Sequence, residues 1–331
     1  MKLPSRLSLF LLLLLPAALR AQVYTTTNPL AHTFSIVARD PATGDMAVAV
    51  QSHWFSVGTS VSWAEAGVGA VATQSFTNKS FGPRGLALLK SGKSAQETLD
   101  ELLRTDDGRD VRQVAIVDNQ GRVATHTGAK CIDMAGQQQG AQFSVQANMM
   151  LNNTVPAAMA KAYEANAKLP FAERVLSALD AAQAAGGDIR GRQSAALLVV
   201  RGKPGAGIWE DRLIDLRVDD AEVPLKELAR LLRLHRAYEH MNAGDLAVEK
   251  NDVPGAIRAY EAAEKMFPQN LEMKYWHAIS LAEKKQVPAA IKLLGPIFRA
   301  DPNWRTLTAR LPKVGLLTVS AAELKQILAA K

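Results

Sequence analysis

Small and larger apolar residues alternate through Thr33-Phe34-Ser35-Ile36-Val37-Ala38-Arg39 and again through Met46-Ala47-Val48-Ala49-Val50-Gln51. A period of two predicts a strand in each stretch, and the near absence of polar positions inside them suits a sheet covered on both faces. Asp40-Pro41-Ala42-Thr43-Gly44-Asp45 between them is turn chemistry, with proline fixing φ and glycine supplying a positive φ. The hydroxyls sit at the ends: Thr33 and Ser35 open the first strand, and Ser52 with His53 closes the second. An antiparallel hairpin brings those ends together, so Thr33, Ser35, Ser52 and His53 share one sheet edge.

Further on, the spacing predicts a connection over 56–67 carrying Trp63, then a small-residue strand over 68–74. A helix starts at Gly82-Pro83-Arg84-Gly85 and runs to about Ser91, with proline at a tolerated early position. Ser94 with Glu97 three residues later is a capping box, opening a helix to Arg104 with Leu99, Leu102 and Leu103 on one face. Strands over 112–117 and 122–126 flank a hairpin signal, Asp118-Asn119-Gln120-Gly121. A strand over 143–150 ends at Asn152-Asn153, and alanine-rich amphipathic helices follow over 154–165 and 170–185, the second stopped by Gly186-Gly187. Strands over 193–200 and 212–218 complete this part. The order strands, helices, strands, helices, strands implies an α+β domain of stacked layers.

The pattern then becomes wholly helical. Leucines at 225, 228, 231, 232 and 234 mark a helix over 221–240. Beyond it, Val253-Pro254 recurs as Val287-Pro288, Ala256-Ile257 as Ala290-Ile291 and Pro268 as Pro302, each 34 residues later. That is the period of tetratricopeptide (TPR) repeats, and Gly244, Ala256, Tyr260, Ala263 and Ala278 stand where such repeats pack helices closely. We read a connecting helix over 221–236, two TPR-like repeats over 237–270 and 271–304, and a helical cap over 305–331. Two repeats bury little core alone, so they lean on the preceding helix or on another chain. A peptide- or protein-docking groove and a homodimerisation or packing module are the two readings of this part.

The first residues have a different pattern. Lys2 and Arg6 precede an apolar stretch, Leu7 to Leu19, and Ala-Leu-Arg-Ala over 18–21 spaces small residues as a signal peptidase requires. The expectation is a secretory signal over 1–21, cleavage after Ala21, and a polar leader over 22–31. The apolar run is short for a spanning helix, so we expect an exported, periplasmic protein without a stable membrane anchor.

The chain has 331 residues and 48% hydrophobic residues, enough for two domains with sizeable cores. Its formal charge of +7 falls to about +4 once Lys2, Arg6 and Arg20 leave. Basic and acidic residues are interspersed, which argues against a nucleic-acid surface. The single cysteine, Cys131, rules out an intramolecular disulfide and reads as a small core residue before it reads as a nucleophile. Six scattered histidines offer no metal-ligand spacing, and no phosphate-binding or dinucleotide-binding motif occurs, so no metal or cofactor is expected.

The opening hairpin resembles that of the DUF1028 family, whose fold is similar to that of the N-terminal-nucleophile (Ntn) hydrolases. The resemblance continues through Trp63 to Gln74, Phe81 to Leu86, His126 to Cys131, Phe143 to Asn148, Gly191 to Leu198 and Asp215 to Asp220. It covers roughly residues 32 to 235, with the domain itself bounded at 32–220. It implies a four-layer αββα sandwich, here followed by the all-α repeat domain, but it brings no established activity.

An Ntn hydrolase attacks an amide through the side chain of its own first residue, with the free α-amine as base. The resemblance puts Thr33 at that position. Signal cleavage leaves Thr33 inside the chain with an acylated nitrogen, so the mechanism requires a second cut between His32 and Thr33. A general base at His53 acting on Thr33, Ser35 or Ser52 is the other route. Gln74 and Asn148 are candidate amide donors to an oxyanion, and Arg84 and Arg192 candidate carboxylate holders. Two functions stay open: hydrolysis of an amide bond in a peptide, acyl-amino or cell-wall-derived substrate, and a non-catalytic periplasmic scaffold that recruits a partner through its repeats.

Overall fold

The computed structural model describes residues 30–31 and 33–331, for residues 30–31 the backbone only. The expected signal and most of the leader lie outside the described residues. In chain order the elements begin with β1 (Leu30–Ala31), β2 (Thr33–Arg39), β3 (Met46–Ser52), a single helical turn α1 (Gly58–Val61), β4 (Ser62–Glu65) and β5 (Gly69–Phe76). Two helices, α2 (Phe81–Lys90) and α3 (Ala95–Arg104), lead to β6 (Arg112–Asp118), β7 (Val123–Thr127), β8 (Gly136–Gly140) and β9 (Phe143–Ala147). Then come α4 (Val155–Ala165), α5 (Phe171–Ala184), β10 (Ser194–Val200) and β11 (Arg212–Val218). The repeat part is α6 (Pro224–Glu249), α7 (Val253–Met266), α8 (Leu271–Glu283), α9 (Val287–Ala300), α10 (Asn303–Arg310) and α11 (Ala321–Leu328).

Most strands fall where the alternation puts them, and the β2–β3 turn closes as its residues demand. Gly44 sits at φ +81°, and its N–H donates to the Asp40 carbonyl at 2.8 Å. The Ser94–Glu97 capping box is present, with both reciprocal bonds made. Three elements differ from the sequence reading. The 56–67 connection holds the half-buried strand β4, which pairs with β5 from Ser62↔Ala72 to Glu65↔Gly69. β8, Gly-Gln-Gln-Gln-Gly, has no hydrophobic pattern and forms because β9 offers an edge, Gln138 lying opposite Val145. And α6 runs unbroken to Glu249, so the connecting helix and the first helix of the repeats are one piece.

The strands form two antiparallel sheets. One has six strands in the order β11-β10-β3-β2-β9-β8, and the other has five, β1-β5-β6-β7 with β4 on β5. Side-chain alternation then sorts the core into three layers. Phe34, Ile36, Ala49, Val145 and Leu197 face outward onto α4, α5 and the start of α6. Val37, Val48, Val50, Ala70, Ala115 and Leu198 lie between the two sheets. Val71, Val114 and Ile116 face α2 and α3 through Leu86, Leu99 and Leu102. The result is the four-layer αββα sandwich.

α6 carries the chain out of the sandwich. Arg236 on it makes a two-point ion pair with Glu173 of α5, at 3.0 Å on each side. Its far half packs against α7, where Gly244 lies against the Tyr260 ring: a Cβ at 244 would stand 2.4 Å from Cε1. Gly244→Ala should therefore cost the repeat part about 1–3 kcal/mol through overpacking, read as a lowered thermal midpoint by calorimetry.

Alkali should loosen both parts. Burial pushes the phenols of Tyr163, on α4, and Tyr275, on α8, up to about 12 from an ordinary 10.0. The folded chain then keeps protons that the unfolded chain has released, so this contribution is complete below about pH 10 and falls as pH rises towards 12. Urea midpoints measured across that interval should drop, and replacing Tyr163 and Tyr275 together by phenylalanine should flatten the drop.

Candidate active site at the polar end of the sandwich

The space between the sheets is not uniform. Along β2 the inward positions are Thr33, Ser35 and Val37, and the register carries the same gradient into every neighbour. Thr33 lies opposite Ser52 and Val37 opposite Val48. Ser194 lies opposite Ser52 and Leu198 opposite Val48. Ser35 faces Gln146 on β9, and in the other sheet Gln74 faces Gln113 while Ala70 faces Val117. One half of the sandwich interior is thus valine, alanine and leucine, and the other half is hydroxyls and amides. Thr33, Ser35, Ser52, Gln74, Gln113, Gln146 and Asn148 are all fully shielded from solvent.

These groups satisfy one another across the sheets. Ser35 Oγ donates to Gln74 Oε1 at 2.7 Å and accepts from Gln146 Nε2 at 2.5 Å. Gln113 Oε1 accepts from Gln74 Nε2 at 2.7 Å and from Asn148 Nδ2 at 2.8 Å. The Gln113 amide nitrogen lies 2.9 Å from Thr127 Oγ1 and 3.0 Å from the Ala147 carbonyl. The edge beside them is laced by Thr127 donating to Gln137 and Gln139 donating to Thr125, 2.7 Å each. Buried polar groups paired this fully define a fixed arrangement.

The Thr33 carbonyl is the focus of the network. It accepts from the Asn148 N–H at 3.0 Å, from Gln74 Nε2 at 3.1 Å and, more weakly, from Asn148 Nδ2 at 3.4 Å. The Thr33 hydroxyl is the exception: buried in the same layer, Oγ1 has no hydrogen-bond partner among the described residues. Such a group costs about 1–3 kcal/mol. The backbone is unusual just beyond both amides, with Ser75 at φ +70° and Met149 at φ +55°. Left-handed backbone at non-glycine positions is strained and gathers at functional sites.

The strand before Thr33 belongs to the other sheet. β1 pairs with β5, Leu30↔Phe76 and Ala31↔Ser75, on the edge that β4 occupies further along. β1 and β2 therefore belong to different sheets, with Ala31 and Thr33 both at the polar end. Among the described residues the layer between the sheets at this end consists of hydroxyls and amides.

The remaining candidates from the sequence lie elsewhere. His53 and Arg192 are exposed on the rim, the His53 Nδ1 lying 3.4 Å from the Arg192 carbonyl. They sit beside the buried Asp188, which accepts from the His53 N–H at 3.2 Å and from Arg190 Nη2 at 2.7 Å. Arg84 is on the outer helix layer and donates to Thr105 at 2.7 Å, away from the amides. Gln74 and Asn148 are joined to Thr33, though as holders of its carbonyl. Burial pushes the Cys131 thiol up, which leaves it a poor nucleophile at neutral pH. Sequence reasoning missed Gln113, Gln146 and Asp188. The signal for the first two was a glutamine at an inward position of an otherwise apolar strand; Asp188 gave none.

The sequence profile described as a family of unknown function, DUF1028, matches residues 33–228. A tetratricopeptide-repeat profile matches residues 247–311. Among solved structures, the chain is similar to a DUF1028 protein from Silicibacter pomeroyi, with 32% identity and a TM-score of 0.56 over 61% of this chain and 85% of that one. No functionally curated protein matches.

Proposed function

The chain belongs to the DUF1028 family and carries a tetratricopeptide extension, and from that premise we propose that it is an exported amide hydrolase whose nucleophile is the Thr33 hydroxyl. The observation that carries this reading is the unpartnered, fully buried Oγ1 of Thr33 in a layer where the neighbouring amides and Ser35 are paired. Gln74 and Asn148 act as positioning residues: by gripping the carbonyl of Thr33 they fix where its hydroxyl points. Activity requires cleavage between His32 and Thr33, because only then does a free α-amine lie beside the hydroxyl. In the reaction the amine takes the hydroxyl proton as Oγ1 attacks the substrate carbonyl, and it returns that proton to the leaving amine. Water then hydrolyses the resulting ester and regenerates Thr33. The substrate would be a small amide: a peptide, an acyl-amino compound or a cell-wall fragment, met in the periplasm.

The test compares two forms of the protein, one beginning at Gln22 and one beginning at Thr33, on a panel of amide substrates. Hydrolysis by the Thr33 form alone is the expected result; equal activity, or none in either, contradicts it.

A second reading, a scaffold that recruits a partner through the repeats, is favoured by one observation. α6 and α8 line a groove of about 410 Å³ with an apolar lining that includes Met241, Trp276 and Ile279, a size suited to side chains of a docked segment. The two readings are compatible, since the groove and Thr33 lie in different parts of the chain.

A further inference from the structure

The groove of the helical repeats has a one-sided charge. Asp245 and Glu249 of α6 and Glu272 and Glu283 of α8 line it, around Met241, Val248, Trp276 and Ile279, and among the described residues no lysine, arginine or histidine does. This is unusual on a chain whose formal charge is +7. Three of the carboxylates are held in place by neutral donors. The Tyr238 hydroxyl donates to Glu272 Oε2 and the Tyr260 hydroxyl to Asp245 Oδ1, each at 2.6 Å. The Thr318 N–H donates to Glu283 Oε1. A neutral donor orients a carboxylate without cancelling its charge, so the negative field of the groove is retained. Glu249 is exposed at the end of α6.

We propose that this groove binds a cationic peptide segment, with an apolar side chain of the peptide on the Trp276 and Ile279 surface and its lysine or arginine side chains on the four carboxylates. Charge complementarity selects this partner: an acidic segment would meet four like charges, and a neutral apolar one would leave the fixed carboxylates without counter-charges. The apolar lining supplies the anchor, and the carboxylates supply the choice of partner. The inference deepens the docking reading of the repeats and does not depend on chemistry at Thr33.

The test uses the full mature chain and two labelled nine-residue peptides with the same Leu-Trp-Leu centre, one flanked by lysines and one by glutamates. Fluorescence anisotropy should give a Kd on the order of micromolar for the lysine peptide and binding at least about tenfold weaker for the glutamate peptide. Raising the salt should weaken the lysine peptide. Glu249→Lys, an exposed change that leaves the packing intact, should weaken the lysine peptide several-fold and strengthen the glutamate one. Equal binding of the two peptides would overturn the charge inference and leave the docking reading standing. Binding of neither would overturn both. Peptide binding is read without amide turnover, so a failure of the amide-hydrolase reading is seen separately, in the comparison of the Gln22 and Thr33 forms.

Discussion

Thr33→Val should give a protein that is more stable and catalytically dead. Valine has the shape of threonine without the hydroxyl, and Oγ1 of Thr33 is buried with no partner among the described residues. Removing an unsatisfied buried hydroxyl recovers part of its desolvation cost, so the unfolding free energy should rise by about 1 kcal/mol. Amide hydrolysis by the chain that begins at residue 33 should fall by a factor on the order of 1,000 or more, because no other hydroxyl of the layer has the α-amine as its neighbour. The paired rise and fall is informative. A hydroxyl with a hydrogen-bond partner would lose stability on the same change, and one without a catalytic role would leave hydrolysis intact. Urea unfolding and a hydrolysis assay on one preparation check both halves.

Gln113→Leu should be the most destabilising single change in the sandwich, by about 3–5 kcal/mol. Its carbonyl oxygen is the common acceptor for Gln74 and Asn148, and its amide nitrogen reaches Thr127 and the Ala147 carbonyl. Leucine fits the volume but orphans several fully buried groups at once, each worth about 1–3 kcal/mol unpaired. The cost should appear as a lower urea midpoint with an unchanged slope. Gln120→Leu, at an exposed turn position, should stay within about 0.5 kcal/mol of the parent chain. Because Gln74 and Asn148 also hold the Thr33 carbonyl, the Gln113 variant should lose hydrolysis in proportion well beyond its unfolded fraction.

The arrangement around Thr33 was partly legible in the sequence. Alternation fixes which residues of β2 and β3 face the second sheet, so Thr33, Ser35 and Ser52 could be placed at one edge. The glutamines of the facing sheet could not be joined to them, because nothing in a linear pattern says which strand of one sheet lies over which strand of the other. Gln74 and Asn148 were expected as oxyanion donors, and the structure gives their amides to the Thr33 carbonyl and Gln113. Arg84 stood inside a block of family resemblance, yet its guanidinium is occupied by Thr105 on the outer layer. β8 escaped notice for a different reason: three glutamines between glycines carry no burial pattern, and only the open edge of β9 makes them a strand. The repeats were the most legible part. Gly244 and Tyr260 were each placed at a close-packing position of the repeats, and the structure sets the Tyr260 ring against Gly244.

The sandwich spends an unpaired buried hydroxyl and two strained backbone positions on one end of its interior, and the repeats offer a formed, acidic groove. An unsatisfied polar group costs stability wherever it stands, and in the paired layer between the sheets Thr33 Oγ1 is such a group.

The most direct measurement is intact mass with N-terminal sequencing of the protein recovered from the exported fraction of its native cells. The account predicts Thr33 as the first residue, with the segment before it removed. A chain that retains Gln22 to His32 at its terminus, in a preparation that hydrolyses amides, would contradict it.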